Sequence, residues 1–391
     1  MQSTPALELP VYLDHAATTP LAPEVLADML PFLTEAYGNA SALHSLGARA
    51  RSAVDQARET LADAIGADPE EVYFTSGGTE ADNWALKGAA AASGRKHLLV
   101  SAVEHHAVLH PAATLGRSGW SVETIPVDSQ GRVDPGEVRA RLRNDTLLVS
   151  VMHANNEVGA IQPVREIGAL CRERGVLFHV DAVQSLGKIP VRVREMHADM
   201  ASFSAHKLYG PKGVGALYLR RGARVAPWME GGEQERGKRA GTLNVPGIVG
   251  FASAVRRTLQ GLEEESRRLA ALRDRLAAQV LERVPDSTLN GPAQERLPGF
   301  AHFCFGGIEG ESLLLALDMA GICASAGAAC SSGSTEPSHV LLAMGIPLER
   351  ARGALRLTLG RATTQEAVDY AAARIAEAVA GLRSMGSLSL A

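Results

Sequence analysis

Short apolar runs recur between residues 71 and 219, and turns and stretches with helical spacing, such as residues 163–174, follow them. Runs of this length and composition are typical of strands that are buried on both faces of a parallel sheet. The pattern therefore predicts an α/β fold with a mostly parallel sheet, in which ligands bind beyond the carboxyl ends of the strands. The predicted strands are 71–76, 97–103, 146–152, 176–182, 200–204 and 214–219.

The pattern changes near Val255, where leucines and a valine recur at helical spacing among arginines and glutamates. This stripe predicts one long amphipathic helix that packs through its apolar face. The residues of the stripe are Leu259, Leu262, Leu269, Leu272, Leu276 and Val280. Beyond the helix, the predicted elements are strands at 299–305 and 354–359 and helices at 312–319 and 367–382.

The length of the chain indicates two domains. At 391 residues it exceeds the size at which a single hydrophobic core stops growing. Because the pattern of apolar and polar residues changes near Val255, we expect a large domain over residues 15–255. A smaller α+β domain is expected from residues 1–14 together with 256–391.

Composition and charge narrow the classes of function. Hydrophobic residues make up 46% of the chain and charged residues 21%, as in ordinary globular proteins. The 39 Lys and Arg are interspersed among 43 Asp and Glu, with a net charge of −4, which argues against a surface for nucleic acid. No stretch resembles a membrane span, and residues 1–9 lack the regions of a signal peptide. We therefore expect a cytoplasmic protein without nucleic-acid or membrane partners.

The four cysteines, Cys171, Cys304, Cys323 and Cys330, lie far apart and form no Cys-x-x-Cys pair. Neither a metal site nor a disulfide framework is predicted, so a cysteine with a function acts as a free thiol. Cys330 stands in the uncharged run 324–334, whose Gly, Ala and Ser content predicts a mobile loop. Such a loop either carries a thiol toward a substrate or holds a cysteine without function.

A lysine at the end of a predicted strand is the strongest candidate for chemistry. Residues 202–213 read Ser-Phe-Ser-Ala-His-Lys-Leu-Tyr-Gly-Pro-Lys-Gly and place Lys207 at a glycine-rich turn. A lysine amine is a useful nucleophile only when it is neutral and partly desolvated, and a strand end among small residues can hold it in that state. Lys207, with Ser204 and His206 beside it, is thus a candidate for Schiff-base formation. The alternative is a solvated cap.

Two further strand ends carry candidate cofactor contacts. Gly78 and Thr79 follow one strand at a helix start, where backbone N–H groups and the helix dipole favour a phosphate. An ordinary turn capped by Thr79 is the alternative. Asp181 follows another strand and is a candidate partner for a protonated pyridine nitrogen, with Gln184 as a donor to the ring oxygen. A helix N-cap is the alternative for Asp181.

A histidine and an asparagine follow two other strands. His105 is a candidate for stacking on a cofactor ring and for acid–base chemistry near neutral pH. His106 in that role, or a purely capping role for His105, is the alternative. Asn156 is a candidate contact for the ring oxygen or for a substrate carboxylate, although paired asparagines usually form turns.

The order of these motifs resembles that of the cysteine desulfurases of the NifS and IscS type, in the class V aminotransferase group of fold-type I pyridoxal-phosphate enzymes. The likeness runs from about Val11 to the last helix. It implies a homodimer that binds pyridoxal 5'-phosphate. The motifs are Tyr-Leu-Asp-His-Ala-Ala-Thr-Thr-Pro at 12–20, Gly-Asn-Ala-Ser at 38–41, Thr-Ser-Gly-Gly-Thr-Glu at 75–80, Glu-His at 104–105, His-Ala-Asn-Asn-Glu at 153–157, His-Val-Asp-Ala-Val-Gln at 179–184, Ser-Ala-His-Lys at 204–207, Gly-Lys-Arg-Ala-Gly-Thr at 237–242 and Leu-Arg-Leu-Thr-Leu-Gly-Arg at 355–361.

The resemblance also implies a role for each candidate residue. Around the cofactor ring, the implied contacts are Lys207 as the Schiff-base lysine, Asp181 at the pyridine nitrogen, His105 as the stacking base and Gln184 at the phenolate oxygen. The phosphate contacts are Gly78, Thr79, Ser204, His206 and, from a neighbouring subunit, Thr242. The substrate carboxylate contacts are Arg356, Asn39 and Asn156. A guanidinium suits a carboxylate, and a surface ion pair is the alternative for Arg356.

The run around Cys330 is similar to the long-loop, group I form of this family, although Ala326, Ala329 and Thr335 stand where serine, serine and leucine are more usual. The resemblance implies that L-cysteine is converted to L-alanine while Cys330 takes up the sulfur as a persulfide. The sulfur then passes to an acceptor protein such as an iron–sulfur scaffold. The alternatives are an aminotransferase or selenocysteine lyase with an idle Cys330, and a non-catalytic scaffold that retains the fold.

Overall fold

The computed structural model of this chain describes residues 9–326 and 337–388. Within these residues, no helix is both long enough and apolar enough to cross a bilayer. The strands are β1 (Val11–Tyr12), β2 (Val72–Thr75), β3 (His97–Ser101), β4 (Ser121–Ile125), β5 (Thr146–Ser150), β6 (Leu177–Asp181), β7 (Met200–Ser204), β8 (Gly215–Leu219), β9 (Ser287–Asn290), β10 (Phe300–Phe305), β11 (Ile322–Cys323) and β12 (Ala354–Thr358). The helices are α1 (Pro23–Thr34), α2 (Ser45–Ile65), α3 (Gly78–Ala91), α4 (His106–Arg117), α5 (Pro135–Arg141), α6 (Val164–Glu173), α7 (Val245–Leu259), α8 (Leu262–Arg283), α9 (Gly310–Met319), α10 (His339–Ala343), α11 (Leu348–Arg352) and α12 (Gln365–Leu388).

The larger sheet contains every strand predicted between residues 71 and 219. In the described part of the chain, seven strands pair in the order β2-β8-β7-β6-β5-β3-β4. Strands β7, β6, β5, β3 and β4 are parallel, while β8 runs antiparallel to both of its neighbours. The predicted α/β fold with a mostly parallel sheet is therefore confirmed. The sequence did not predict β4, because polar residues interrupt this partly exposed edge strand.

A smaller antiparallel sheet forms toward the C-terminal end. Among the described residues it consists of β9, β10 and β12, with β10 in the centre. The short strand β1 pairs in parallel with β11. Val11 and Leu13 thereby join a buried core with Leu276, Phe303 and Leu357. The N-terminal segment thus packs on the C-terminal part of the chain, and the predicted limits of the two domains stay a prediction.

The prediction of a single long helix from Val255 onward is wrong. Helix α7 ends at Leu259 and α8 begins at Leu262, so Gln260 and Gly261 separate them. Gly261 is the N-cap of α8, a position that glycine occupies readily, whereas inside a helix it costs about 1 kcal/mol relative to alanine. The apolar stripe still packs as predicted, and the strands and helices predicted after it are present.

A buried ion pair fixes the segment that follows β8 to the edge of the sheet. Two nitrogens of Arg58, on α2, donate to the Glu235 carboxylate at 2.9 and 2.7 Å. The backbone N–H of Phe74, in β2, donates to the same carboxylate at 2.9 Å. The Glu235 side chain is fully buried, and that of Arg58 is 10% exposed. The carboxylate therefore satisfies donors from two separate elements.

We expect Glu235→Gln to lower the free energy of unfolding by about 3 kcal/mol, because it leaves a buried guanidinium without its counter-charge. Denaturant unfolding at fixed protein concentration measures this loss. Glu233→Ala is the matched control, since its exposed side chain should change stability by less than about 0.5 kcal/mol. Equal stabilities of the two variants would contradict the structural role given to the pair.

Candidate active site

A cavity of about 370 Å³ opens at the carboxyl ends of β2, β3, β5, β6 and β7. Its volume lies in the range of small-molecule and cofactor sites. The structure brings most of the predicted site residues to this one cavity. The predicted residues that line it are Gly78, Thr79, His105, Asn156, Asp181, Gln184, Ser204, His206, Lys207 and Arg356.

Lys207 is held at the edge of the cavity by backbone carbonyls. It lies in a short 3₁₀ turn directly after β7. Its Nζ donates to the carbonyls of Ala16 and Ala17 at 2.7 and 2.8 Å. The neighbouring His206 ring contacts the Thr18 hydroxyl at 3.1 Å. The segment 16–18 therefore fixes the position of the amine, which is not a solvated cap.

The N-terminus of α3 forms one end of the cavity. The helix begins at Gly78, and a Cβ at this position would lie 2.6 Å from the Val183 side chain, so glycine is needed for the close approach. Glu80 in the first turn is paired with Arg239 at 2.8 Å, which offsets its negative charge. A helix start with exposed N–H groups and a compensated acid is a suitable place for a phosphate.

Three buried carboxyl groups interact at the cavity: Asp82 and Asp181 line it, and Glu104 lies near both. Burial raises the pKa of all three groups, Asp82, Glu104 and Asp181. The pKa of Glu104 is raised to about 8. A backbone N–H from Val183, at 2.9 Å, and the nearby Lys207 favour the charged form of Asp181. Since the pKa of Asp181 is raised only to about 6, against about 8 for Glu104, Asp181 is charged at neutral pH and is suited to face a cationic nitrogen.

His105 and Gln184 have defined hydrogen-bonding states. Burial, and then the charge of Lys207, lower the pKa of His105 to about 4, so its ring is neutral. Its Nδ1 accepts from the Ala107 N–H at 3.1 Å, which leaves the ring proton on Nε2. Gln184 donates through Nε2 to the Ala16 carbonyl at 2.9 Å, and its buried Oε1 has no hydrogen-bond partner among the described residues. The amide therefore retains capacity for a ligand.

Of the capping alternatives, only that of His105 is realised, together with its position in the cavity; no helix begins at Asp181, and Gly77 rather than Thr79 is the N-cap of α3. His105 is the N-cap of α4, and Asp181 accepts a hydrogen bond from the backbone two residues ahead. Asn155 forms a turn, because its Oδ1 accepts from the backbone N–H groups of Glu157 and Val158 at 2.9 Å each. Local turn chemistry thus positions the side chains that face the cavity.

Arg356 is a buried residue and not part of a surface ion pair. It lies in β12, and its side chain is 2% exposed. Its guanidinium donates to Asp14 Oδ1 at 2.8 Å and to the Asn156 carbonyl at 3.0 Å. These two contacts orient a buried positive charge toward the cavity that also contains Lys207. Such a group suits a carboxylate ligand.

Two predicted residues of the described part of the chain are not brought to this cavity. Asn39 and Thr242 are exposed and do not line it. Thr242 was predicted to act in a neighbouring subunit, so its role stays a prediction. Cys330, like most of the predicted loop 324–334, lies outside the described residues.

The structure adds cavity residues that the sequence analysis did not single out. Asp82 lies one helical turn after Gly78 and lines the cavity. Residues four apart lie on the same face of a helix, so this spacing could have indicated that Asp82 belongs to the site. Glu157 directly follows Asn156. His339 had no local signal, because tertiary contacts bring it to the cavity: Ser338 donates to the Glu157 carboxylate at 2.5 Å, and His339 contacts the Glu104 carbonyl at 3.0 Å.

The donor set fits pyridoxal 5'-phosphate. The helix start suits the phosphate of the cofactor, and the charged Asp181 suits its pyridine nitrogen. The unpaired oxygen and the remaining N–H of Gln184 suit the polar substituents of the ring, and Lys207 suits the aldehyde. The α/β fold and this site together define a pyridoxal-phosphate enzyme of fold type I.

Comparison with known proteins agrees with this class. The model of the family Aminotransferase class-V matches residues 11–371. The cysteine desulfurase IscS of Dictyoglomus turgidum is 50% identical over 362 residues, which cover 92% of each chain. That of Methanosarcina thermophila is 49% identical over 381 residues, 97% of this chain and 94% of the relative. This chain therefore belongs to the aminotransferase class-V family, whose members of the desulfurase type depend on pyridoxal phosphate.

Solved structures show the same relationship. A NifS-like protein superposes with a TM-score of 0.90 at 39% identity and covers 96% of this chain and 100% of its own. The structure of SspA in complex with cysteine has a TM-score of 0.80 at 34% identity, over 89% of this chain and 98% of its own. At these identities the likeness extends beyond the fold to the sequence.

Proposed function

We propose that this chain is a cysteine desulfurase, which converts L-cysteine to L-alanine and transfers the sulfur to a cysteine of its own. The observation that carries the proposal is that a buried arginine and an anchored lysine share one cavity, so an amino acid can be bound by its carboxylate beside the amine. The relatives named cysteine desulfurase support L-cysteine as the substrate over other amino acids. The complex of the related SspA with cysteine supports the same substrate class.

Some residues of the cavity are suited to bind the cofactor, and others are suited to bind and activate the substrate. Gly78, Thr79, Ser204 and His206 would hold the phosphate of the cofactor, and Asp181 would hold its ring nitrogen. Bound there, pyridoxal phosphate supplies an electron sink that weakens the bond between carbon and sulfur in the substrate.

On the substrate side, the guanidinium of Arg356 binds the carboxylate, assisted by Asn156, which lines the same cavity. Lys207 Nζ takes the proton from the substrate α-carbon. The neutral His105 ring would lie against the cofactor, and its Nε2 carries a proton that it can donate. Burial of these groups excludes water from the charges on which the reaction depends.

The sulfur leaves the cavity on Cys330. Its thiolate attacks the sulfur of the substrate and becomes a persulfide, which passes the sulfur to an acceptor protein such as an iron–sulfur scaffold. The protein is proposed to act in the cytoplasm. Cys330 lies outside the described residues, so this step rests on the resemblance of the sequence around it.

Incubation of the purified enzyme with L-cysteine and a reductant tests the function. We expect alanine and sulfide in equal amounts. Alanine that appears only after a 2-oxo acid is added would indicate an aminotransferase instead. Turnover of L-selenocysteine without turnover of L-cysteine would indicate a selenocysteine lyase.

We propose that the enzyme is a homodimer in which Thr242 reaches the phosphate site of the partner. Neither Lys207→Ala nor Thr242→Ala dimers should be fully active. A mixture of the two has mixed dimers with one site that carries both lesions and one that carries neither, so we expect activity to recover to roughly a quarter of the wild-type value for random exchange. Absence of recovery, despite subunit exchange verified by mass, would contradict a shared site.

A further inference from the structure

A group of three histidines lies beside the cavity, apart from the cofactor contacts. The His106 and His110 rings of α4 stack with centroids 4.8 Å apart, and the His339 ring lies 5.0 Å from that of His106. His106 and His339 line the cavity, whereas His110 is exposed and does not. Within the described residues, no group of His, Cys, Asp and Glu converges to hold a metal ion.

The hydrogen bond of His339 fixes its tautomer. Its Nε2 lies 3.0 Å from the backbone carbonyl of Glu104. A carbonyl oxygen only accepts, so Nε2 carries a proton and, in the neutral ring, Nδ1 carries the lone pair. No group of the described residues hydrogen-bonds to this Nδ1. His339 thus has the arrangement of an oriented base, a ring nitrogen free to accept while the other is held.

Burial of His339 favours the neutral ring by lowering its pKa. The Glu104 carbonyl partly opposes this effect, and His110 lowers the pKa further. His106 faces the ring from α4, and its own pKa is lowered by burial and by His339 and His110. Burial raises the pKa of Glu157, whose charge opposes the shift of His106, and it also raises that of Glu104, the residue that His339 contacts.

We propose that His339 is a catalytic base that accepts the proton from the sulfur of L-cysteine during sulfur transfer. This inference rests on the proposed function. Arg356 and His339 line one cavity, so a substrate whose carboxylate is bound by Arg356 shares that cavity with His339. A cysteine thiol has a pKa of about 8.5 and keeps its proton at neutral pH unless a base removes it.

The step balances without an outside oxidant or reductant. The enzyme thiolate forms an S–S bond with the substrate sulfur, and the C–S bond breaks with its electron pair on carbon, which then takes up a proton. The sulfur is oxidised and the carbon reduced by that same pair. The proton of the substrate sulfur passes to Nδ1 of His339, its S–H electron pair stays on the sulfur, and the product is an ionised persulfide.

The inference is tested with His339→Gln, whose side chain can still donate to the Glu104 carbonyl but cannot take up a proton. We expect kcat for L-cysteine to fall about 100-fold. We expect kcat for L-selenocysteine to stay at the wild-type value, because a selenol is already ionised at neutral pH. Binding of pyridoxal phosphate, measured by titration of the apoprotein, should be unchanged.

Equal losses with both substrates, or no loss with either, would overturn the role of His339. If the wild type forms no alanine from L-cysteine, the proposed function itself fails, which separates the two failures.

A second variant decides the matter if His339→Gln does not bind the cofactor. His110→Gln removes a group that lowers the pKa of His339, so the acid limb of kcat for L-cysteine should move to higher pH while the alkaline plateau is kept. The limb should not move with L-selenocysteine. An unchanged limb with L-cysteine, or an equal shift with both substrates, would overturn the inference.

Discussion

Lys207→Ala is expected to lower the turnover of L-cysteine by about 10³-fold or more, since it removes both the attachment point of the cofactor and the base beside the substrate. The structure gives the physical reason: the amine is held at 2.7 and 2.8 Å by two backbone carbonyls at the edge of the cavity. Activity with L-cysteine measures the loss, and the absorption of the bound cofactor should change with it.

Lys212→Ala is the matched control, because this lysine lies in the same segment but is exposed and does not line the cavity. It should keep wild-type turnover. Reduction of the wild type with borohydride, followed by peptide mapping, should place the cofactor on Lys207. A label on Lys212 or on the neighbouring Lys188 would contradict the assignment.

Cys330→Ala is expected to bind pyridoxal phosphate and L-cysteine normally but to lower alanine and sulfide formation by roughly 10³-fold, because the thiol acts after the substrate has been activated. Spectra of the cofactor with and without L-cysteine measure the first part, and product analysis measures the second. Undiminished alanine and sulfide formation would contradict the desulfurase mechanism and favour a lyase with an idle cysteine.

The other cysteines are poorly suited to replace Cys330. Burial raises the pKa of Cys171 to about 12 and also raises that of the buried Cys304. Cys323 is partly buried, and burial followed by the charges of Asp318 and Asp14 raises its pKa. Since the thiolate is the reactive form, these thiols are weak nucleophiles at neutral pH. Cys323→Ala is therefore expected to keep wild-type activity and serves as the control.

The sequence predicted the buried parts of the fold well because buried elements have a recognisable local pattern of apolar residues. The apolar runs 97–103 and 146–152 became β3 and β5, since strands covered on both faces are apolar throughout. The edge strand β4 escaped prediction because exposure on one side allows polar residues within it. The break between α7 and α8 was missed because the apolar stripe continues across Gly261, and periodicity alone does not report a break of two residues.

The site was predictable where its residues follow strands. Asp181 and Lys207 stand at the ends of β6 and β7, and parallel strands bring such positions to one edge. Glu104 and His339 were not predicted as a contacting pair, because they lie far apart in sequence and meet only through tertiary packing. The buried state of Arg356, and Asp14 as its partner, likewise depend on how the N-terminal segment packs on β12.

A brief pulse of L-cysteine on the wild-type enzyme, without a reductant, tests the central claim most directly. Alanine is counted, and mass spectrometry locates the added sulfur on the chain. The account predicts one alanine for each persulfide formed, with the sulfur on Cys330 and not on Cys171, Cys304 or Cys323. Alanine released without sulfur on Cys330, or no alanine at all, would contradict it.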